Sequence, residues 1–177
     1  MKFFENPEVR EENLLICFSD LTNFVKIAKK MTDLELYDFL QEFYSFYHKA
    51  VEEKGGFVVK FMGDSALVVF PEDKVDEGVL LLKVLKTKVD DWIRSKGENG
   101  RLIVKVHFGK VVCGFSGTKN NKKFDVFGDE VNKAAMLQSK GFATSVELFR
   151  KLKKETRTHF KKHTPPITYI PVEHQHR

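Results

Sequence analysis

A chain of 177 residues with 42% hydrophobic side chains, 17 of them phenylalanine, is one domain long (1–177) and can bury a sizeable core. Its 30 basic and 25 acidic side chains leave a formal charge of +5, but the signs interleave, as in Glu147, Arg150, Lys151, Lys153, Lys154 and Glu155, which reads as a solvated helix face and excludes a nucleic-acid partner. Met1–Pro7 is too short and too charged for a signal peptide, no apolar run approaches a membrane span, and Cys17 and Cys113 sit in apolar runs as buried free thiols, so a cytoplasmic protein with no membrane contact is expected.

Residues 1–12 form a short lead. Leu14-Leu15-Ile16-Cys17-Phe18 reads as a buried strand that ends on Asp20, and Asn23 to Met31 continues as a helix. Thr32-Asp33-Leu34-Glu35 has the form of a capping box. From there Leu36, Phe39, Leu40, Phe43, Phe46, Tyr47 and Ala50 recur at helical spacing until Gly55-Gly56 stops the helix, and this aromatic stripe is read as core. Gly56–Phe61 and Ala66–Phe70 are two strands joined tightly at Met62-Gly63-Asp64-Ser65. A helix follows from about Val75 to Ser95, turning Val79, Leu82, Leu85, Val89 and Trp92 inward, and Gly97–Gly100 is a loop. Leu102–Phe108 and Val111–Phe115 read as a strand pair, and Thr118–Lys123 as its polar basic tip. Val131–Lys140 and Val146 to about Thr156 are helices, and Ile167–Ile170 is the last strand. Interleaved hairpins and helices predict an α+β sandwich, a mainly antiparallel sheet covered by helices.

Two of these segments carry chemistry. Asp20 and Asp64 each stand at the end of an apolar strand. By themselves they read equally well as unrelated turn aspartates. Brought together they repel unless a cation joins them, and an all-oxygen ligand set favours Mg²⁺ or Mn²⁺ held together with substrate phosphates. Part of the basic surplus suits such a polyphosphate.

Four motifs occur in order: Phe18-Ser19-Asp20-Leu21-Thr22-Asn23-Phe24, Lys60-Phe61-Met62-Gly63-Asp64, Val106–Gly114, and Phe124–Ala135 with its Gly128-Asp129-Glu130-Val131-Asn132 core. Together they resemble the catalytic domain of the class III nucleotide cyclases, the adenylate and guanylate cyclase family, from about Asn13 to about Val172. The resemblance implies a ferredoxin-like core and an attack of the substrate's ribose 3′-hydroxyl on its own α-phosphate, expelling pyrophosphate. Asp20 and Asp64 match the family's two metal aspartates, each site taking two ions, Mg²⁺ or Mn²⁺. Leu21, Thr22, Asn23 and Phe24 match the turn whose backbone N–H groups cradle phosphates, with Asn23 where the family usually has Gly. Lys60 and Asp125 match the Lys and Asp with which adenylate cyclases read adenine; without the surrounding motifs they would be a snorkelling strand lysine and a hairpin acid. Adenine offers an N1 acceptor and an N6 donor to that pair, so ATP is the favoured triphosphate and a GTP or pyrimidine cyclase the alternative.

Asn132 matches the asparagine that orients the ribose. Lys110 and Lys161 (or its neighbour Lys162) resemble triphosphate-contacting cations. One departure stands out: the position of the family's transition-state arginine is occupied by Met136. Lys133 and Lys140 flank it at helical spacing and are the candidate substitutes, though a lysine lacks the arginine fork. The family's site lies between two catalytic domains, and one chain carrying both residue sets is expected to form a homodimer with two equivalent sites. The contrasting expectation, which Met136 favours, is a cyclase-like module that binds nucleotide or a partner domain without turnover.

Overall fold

Asp20 is carried by the middle of the sheet. In the computed structural model, which describes residues 3–174, Arg10–Leu21 forms β1, and β3 (Ser65–Pro71) and β4 (Leu102–Thr118) pair with it antiparallel on either side. β2 (Phe57–Met62) extends the sheet beyond β3, while β6 (Phe142–Thr144), β8 (Thr168–Pro171) and β7 (Phe160–His163) extend it beyond β4, the β4–β6 pair being parallel. β5 (Asn121–Phe127) folds back on the distal half of β4. The expected α+β architecture holds, with a mixed, mostly antiparallel sheet.

Strand alternation divides the residues of β1 between two cores. Leu15, Cys17 and Leu21 face one side with Val68, Phe70, Val104 and Val106. There α2 (Asp33–Glu53) and α3 (Val75–Ser95) cover them with Phe43, Tyr47, Val79 and Leu82. Leu14 and Ile16 face the other side with Val69, Val111 and Phe124. That side is covered by the shorter α4 (Asp129–Met136) and by Phe3 and Phe4 of a short 3-10 turn. The lead is therefore structural: Phe4 stacks on Phe57, and residues 10–12 belong to β1. Met1 and Lys2 of that lead, and residues 175–177, lie outside the described residues.

The capping box forms as read. The Thr32 hydroxyl accepts from the Glu35 N–H at 3.3 Å, and the Glu35 carboxylate accepts from the Thr32 N–H at 2.8 Å. α3 has the predicted bounds. Other boundaries moved. The predicted strand pair is one 17-residue strand, β4, which runs through Gly109 without a turn. That glycine is demanded by a close approach: a Cβ there would lie 2.6 Å from the Glu130 side chain. The helix after β1 is only α1 (Phe24–Ala28). α4 ends at Met136, because Leu137 turns extended and leads the chain toward β6. The helix from Val146 divides into α5 (Val146–Lys151) and α6 (Lys154–Arg157), with Leu152 and Lys153 extended between them and the Lys153 N–H given to Asp76 at 2.9 Å. β6 and β7 had no periodic signal; they are three and four residues long. Both cysteines are buried and free.

Candidate active site

Asp20 is the penultimate residue of β1, and Asp64 sits in the two-residue turn between β2 and β3. The β1–β3 register, with Ser19 opposite Ala66, brings the strand end and the turn together. The two carboxyl groups are close enough for the charge of one to act on the other, and the Ser65 hydroxyl donates to Asp20 Oδ1 at 2.5 Å. Burial first, and the Asp20 charge second, push the Asp64 carboxyl from its ordinary 3.8 up to about 6. A positive φ of 64° at Gly63 makes the turn, and the Tyr44 hydroxyl of α2 holds it by donating to the Gly63 carbonyl at 2.6 Å. The Tyr44 ring stacks on Phe61, centroids 4.1 Å apart.

This carboxylate pair fits a divalent cation. Two acids set against each other mark the place where a positive charge is wanted, and both offer hard oxygens. Among the described residues no cluster of three or more His, Cys, Asp or Glu side chains forms a metal site, so a cation held by Asp20 and Asp64 has coordination positions left for a ligand's oxygens.

The predicted phosphate cradle is narrower than expected. The Thr22 N–H is given to the Arg101 carbonyl at 2.9 Å. One of the four amides is thus committed within the protein, which leaves Leu21, Asn23 and Phe24. Asn23 does adopt the left-handed conformation a glycine would take, φ 61° and ψ 12°, anchored by its side-chain amide on the Asn99 carbonyl at 2.9 Å.

Lys60 on β2 and Asp125 on β5 come together, Nζ to Oδ2 at 2.7 Å, and Asp125 Oδ1 also accepts from the Val126 N–H at 2.9 Å. Asn132 is exposed on α4. The start of that helix is fixed from beneath by buried His107, whose ring nitrogens bond Ser145 Oγ at 2.8 Å and Glu130 Oε2 at 2.5 Å. The Lys133 hydrogen bond, then that of His107, holds the Glu130 carboxyl below the usual range.

The predicted lysines fare differently. Lys133 is spent on its own helix, 2.7 Å from Glu130 and 3.2 Å from Asp129. Lys140 lies beyond the end of α4, so the helix face it was expected to share with Met136 does not exist. Lys110 pairs with Glu11 at 2.8 Å and stands opposite Asn13, seven ladder positions from the Asp20–Ile103 pair, about 24 Å away at 3.4 Å per residue. It does not join Asp20 within one chain. Lys161 donates to the Val172 carbonyl at 2.9 Å on β7, the last strand at that edge of the sheet. Met136 is 75% exposed.

Three residues near the aspartates were not anticipated: Tyr44, Ser65 and Lys105. A cavity of about 370 Å³ runs from Asp20 and Ser65 past Lys105 to Ala135 and Ser139. A second, of about 600 Å³, shares Lys105, Ala135 and Ser139 and continues to Met136, Lys140 and the Thr164–Pro166 loop. The signal for Lys105 was present as a lone charge inside the apolar run Leu102–Val106. Ser65 and Tyr44 are common residue types whose role depends on what the fold sets beside them.

The sequence profile of the adenylate and guanylate cyclase catalytic domain matches residues 7–166. The chain belongs to that family. This cyclase domain is 27% identical over 145 residues to an adenylate cyclase of Anabaena cylindrica, covering 76% of this chain and 29% of that protein. It is 27% identical over 164 residues to guanylyl cyclase C of Homo sapiens, covering 83% and 14%. The cyclase domain thus spans under a third of the length of either relative. Among solved structures, the adenylyl cyclase CyaB from P. aeruginosa superposes with a TM-score of 0.78 at 18% identity, over 95% of this chain and 97% of that one. A bacterial light-regulated adenylyl cyclase superposes at 0.81 and 20% identity, over 97% and 56%. These likenesses establish the fold. The family comprises phosphorus–oxygen lyases that use divalent metals, and among the described residues no helix of this domain is long and apolar enough to cross a membrane.

Proposed function

We propose that this domain converts ATP to 3′,5′-cyclic AMP and pyrophosphate with Mg²⁺ or Mn²⁺, at a site completed by a second copy of the chain, in a cytoplasmic setting that suits its two free thiols. The observation that carries the cyclase reading is the meeting of Asp20 and Asp64 at one strand end, with Asp64 pushed up to about 6 by burial and by its partner's charge. Two such carboxylates suit a pair of cations, which when bound would lower the charge on the triphosphate and acidify the 3′-hydroxyl. The chain's own part is positioning: Tyr44 and Ser65 hold the two acids, and the Asn23 turn offers the remaining amides to the phosphates.

ATP is favoured by Lys60 and Asp125. A donor and an acceptor set 2.7 Å apart match the N1 and N6 edge of adenine, and each already satisfies the other until a base replaces that partner. A similar fold is described in complex with ATPαS for a rhodopsin-guanylyl cyclase with converted specificity, and with GTP for the guanylate cyclase domain of RhGC from Catenaria anguillulae. The fold therefore accepts either purine, and the residues at the base decide.

A homodimer is supported by what one chain leaves apart. Lys60, Asp125 and Asn132 do not line the cavity that Asp20 lines. Met62, two residues from Lys60 on the same strand face, and Phe127, likewise placed from Asp125, are 44% and 47% exposed, as apolar groups awaiting cover would be.

Met136 supports a second reading, a domain that binds nucleotide without turning it over. One experiment separates the two: the pure chain is incubated with Mn²⁺ and each of ATP, GTP, CTP and UTP, and cyclic products are measured. Cyclic AMP as the main product is expected. A different preferred base overturns the ATP assignment, and triphosphate binding without any product favours the binding module.

A further inference from the structure

Lys105 is a cation in a costly place. It stands on β4 between Val104 and Val106, both fully buried, with Phe18 of β1 opposite in the ladder. Alternation turns it to the α4 side of the sheet, the side of Phe18 and Asp20, where it is half-buried. Burying an ammonium group costs free energy unless something answers its charge. Three of the other lysines considered for the site are answered by carboxylates, Lys60 by Asp125, Lys110 by Glu11 and Lys133 by Glu130, and Lys161, exposed at the sheet edge, is given to the Val172 carbonyl. For Lys105 the structure gives a neutral partner, the Ala135 carbonyl at 2.9 Å, in the last turn of α4. That bond uses one of three N–H donors. The side chain lines both cavities and forms, with Ala135 and Ser139, the link between the Asp20 end and the Met136 end.

We propose that Lys105 binds the triphosphate of the substrate from the same chain as Asp20 and supplies the positive charge that Met136 does not. This rests on the cyclase reading given above. In the reaction the ribose 3′-oxygen bonds to the α-phosphorus, the bond from that phosphorus to the bridging oxygen breaks, and pyrophosphate departs with the electron pair. The 3′-hydroxyl proton passes to water. Lys105 keeps its own protons throughout and meets charge that builds on the leaving oxygens, moving from the Ala135 carbonyl to the phosphate. An ammonium answers that charge as a point, without a fork, so it can replace an arginine's charge but not its geometry.

The test uses Lys105→Met, which keeps the apolar stem, and Lys105→Arg, which keeps the charge. Three readouts are taken: Mn²⁺-ATP turnover, affinity for 3′-deoxy-ATP (which lacks the attacking hydroxyl) and the thermal midpoint. Lys105→Met should lower turnover about a hundred-fold and analogue affinity about ten-fold, with the midpoint close to wild type, and Lys105→Arg should retain more of both. Turnover and analogue affinity within two-fold of wild type in Lys105→Met overturn the proposal. Equal losses in both variants, accompanied by a lowered midpoint, overturn it in favour of a cap on the end of α4. If the wild type binds the analogue but cyclises no triphosphate, the cyclase reading alone fails and the affinity comparison still decides Lys105. A wild type that does not bind the analogue sinks both.

Discussion

The two faces of the sheet are built to different standards. On one, α2 and α3, each 21 residues long, close over the sheet, and the buried Ser19 hydroxyl is answered there by that of Tyr47 at 2.8 Å. On the other, an eight-residue helix and two phenylalanines of the lead cover only part of the surface. What remains open carries Asp20, Lys105 and the cavity between them. A protein gains nothing in stability by setting two acids against each other and a lysine in an apolar strand; such groups are kept where a ligand supplies the missing charges. The closed face gives rigidity, and the open face carries the candidate site.

That division can be broken from either side. The largest effect should come from the closed face. Phe43→Ala removes a fully buried ring that contacts Tyr47, Phe61 and Trp92, and should cost about 3–5 kcal/mol in chemical denaturation, with activity lost only as the protein unfolds. Asp64→Asn on the open side should do the reverse. Turnover should fall about a hundred-fold or more, equivalent to about 2.7 kcal/mol of transition-state stabilisation, while the far-ultraviolet spectrum is unchanged. If turnover in Asp64→Asn and in Asp20→Asn stays at the wild-type rate, the aspartate pair is not the cation site.

Base choice is the next test in size. Lys60→Glu with Asp125→Cys should shift the ratio of ATP to GTP turnover toward GTP, since a mismatched buried donor or acceptor costs about 1–3 kcal/mol. An unchanged ratio would remove this pair from base recognition.

The smallest effect is electrostatic and needs no substrate. Because the folded state holds the Asp64 proton up to about pH 6 and the unfolded chain releases it near 3.8, this group stabilises the metal-free protein at low pH and loses that contribution as pH rises through 6. The full shift would be worth about 3 kcal/mol, but solvent screening at a half-exposed group reduces it to about 1 kcal/mol. For a domain of this size that is a drop of about 2–4 °C in the thermal midpoint between pH 4 and pH 7 attributable to Asp64. Asp64→Asn should flatten that dependence, and Mn²⁺ should raise the wild-type midpoint at pH 8 more than at pH 5. Parallel pH curves for wild type and variant would show that the acids do not interact.

What was legible in the chain was whatever nearby residues settle among themselves. Thr32 and Glu35 cap one another across three positions, the apolar period of Val79, Leu82, Leu85 and Val89 lays out α3, and Gly63 and Asp64 announce a turn between two apolar runs. Asp20, Asp64, Lys60 and Asp125 were nameable because they sit in motifs, and the fold then set them in two pairs. The rest depended on partners far away in sequence. Gly109 looks like a strand break and is instead a gap for Glu130, so only the packing of α4 against β4 makes that strand continuous. α4 ends at Met136, with Lys105, 30 residues earlier, holding the Ala135 carbonyl in its last turn; this strands Lys140 off the helix. Lys110 and Lys105 are five residues apart and equally charged, yet the β1–β4 register sends one to Glu11 and the other to the cavity of Asp20. Local spacing can state what a residue offers, but only strand register and helix placement determine which charge it meets, because those contacts form between segments that the sequence keeps apart.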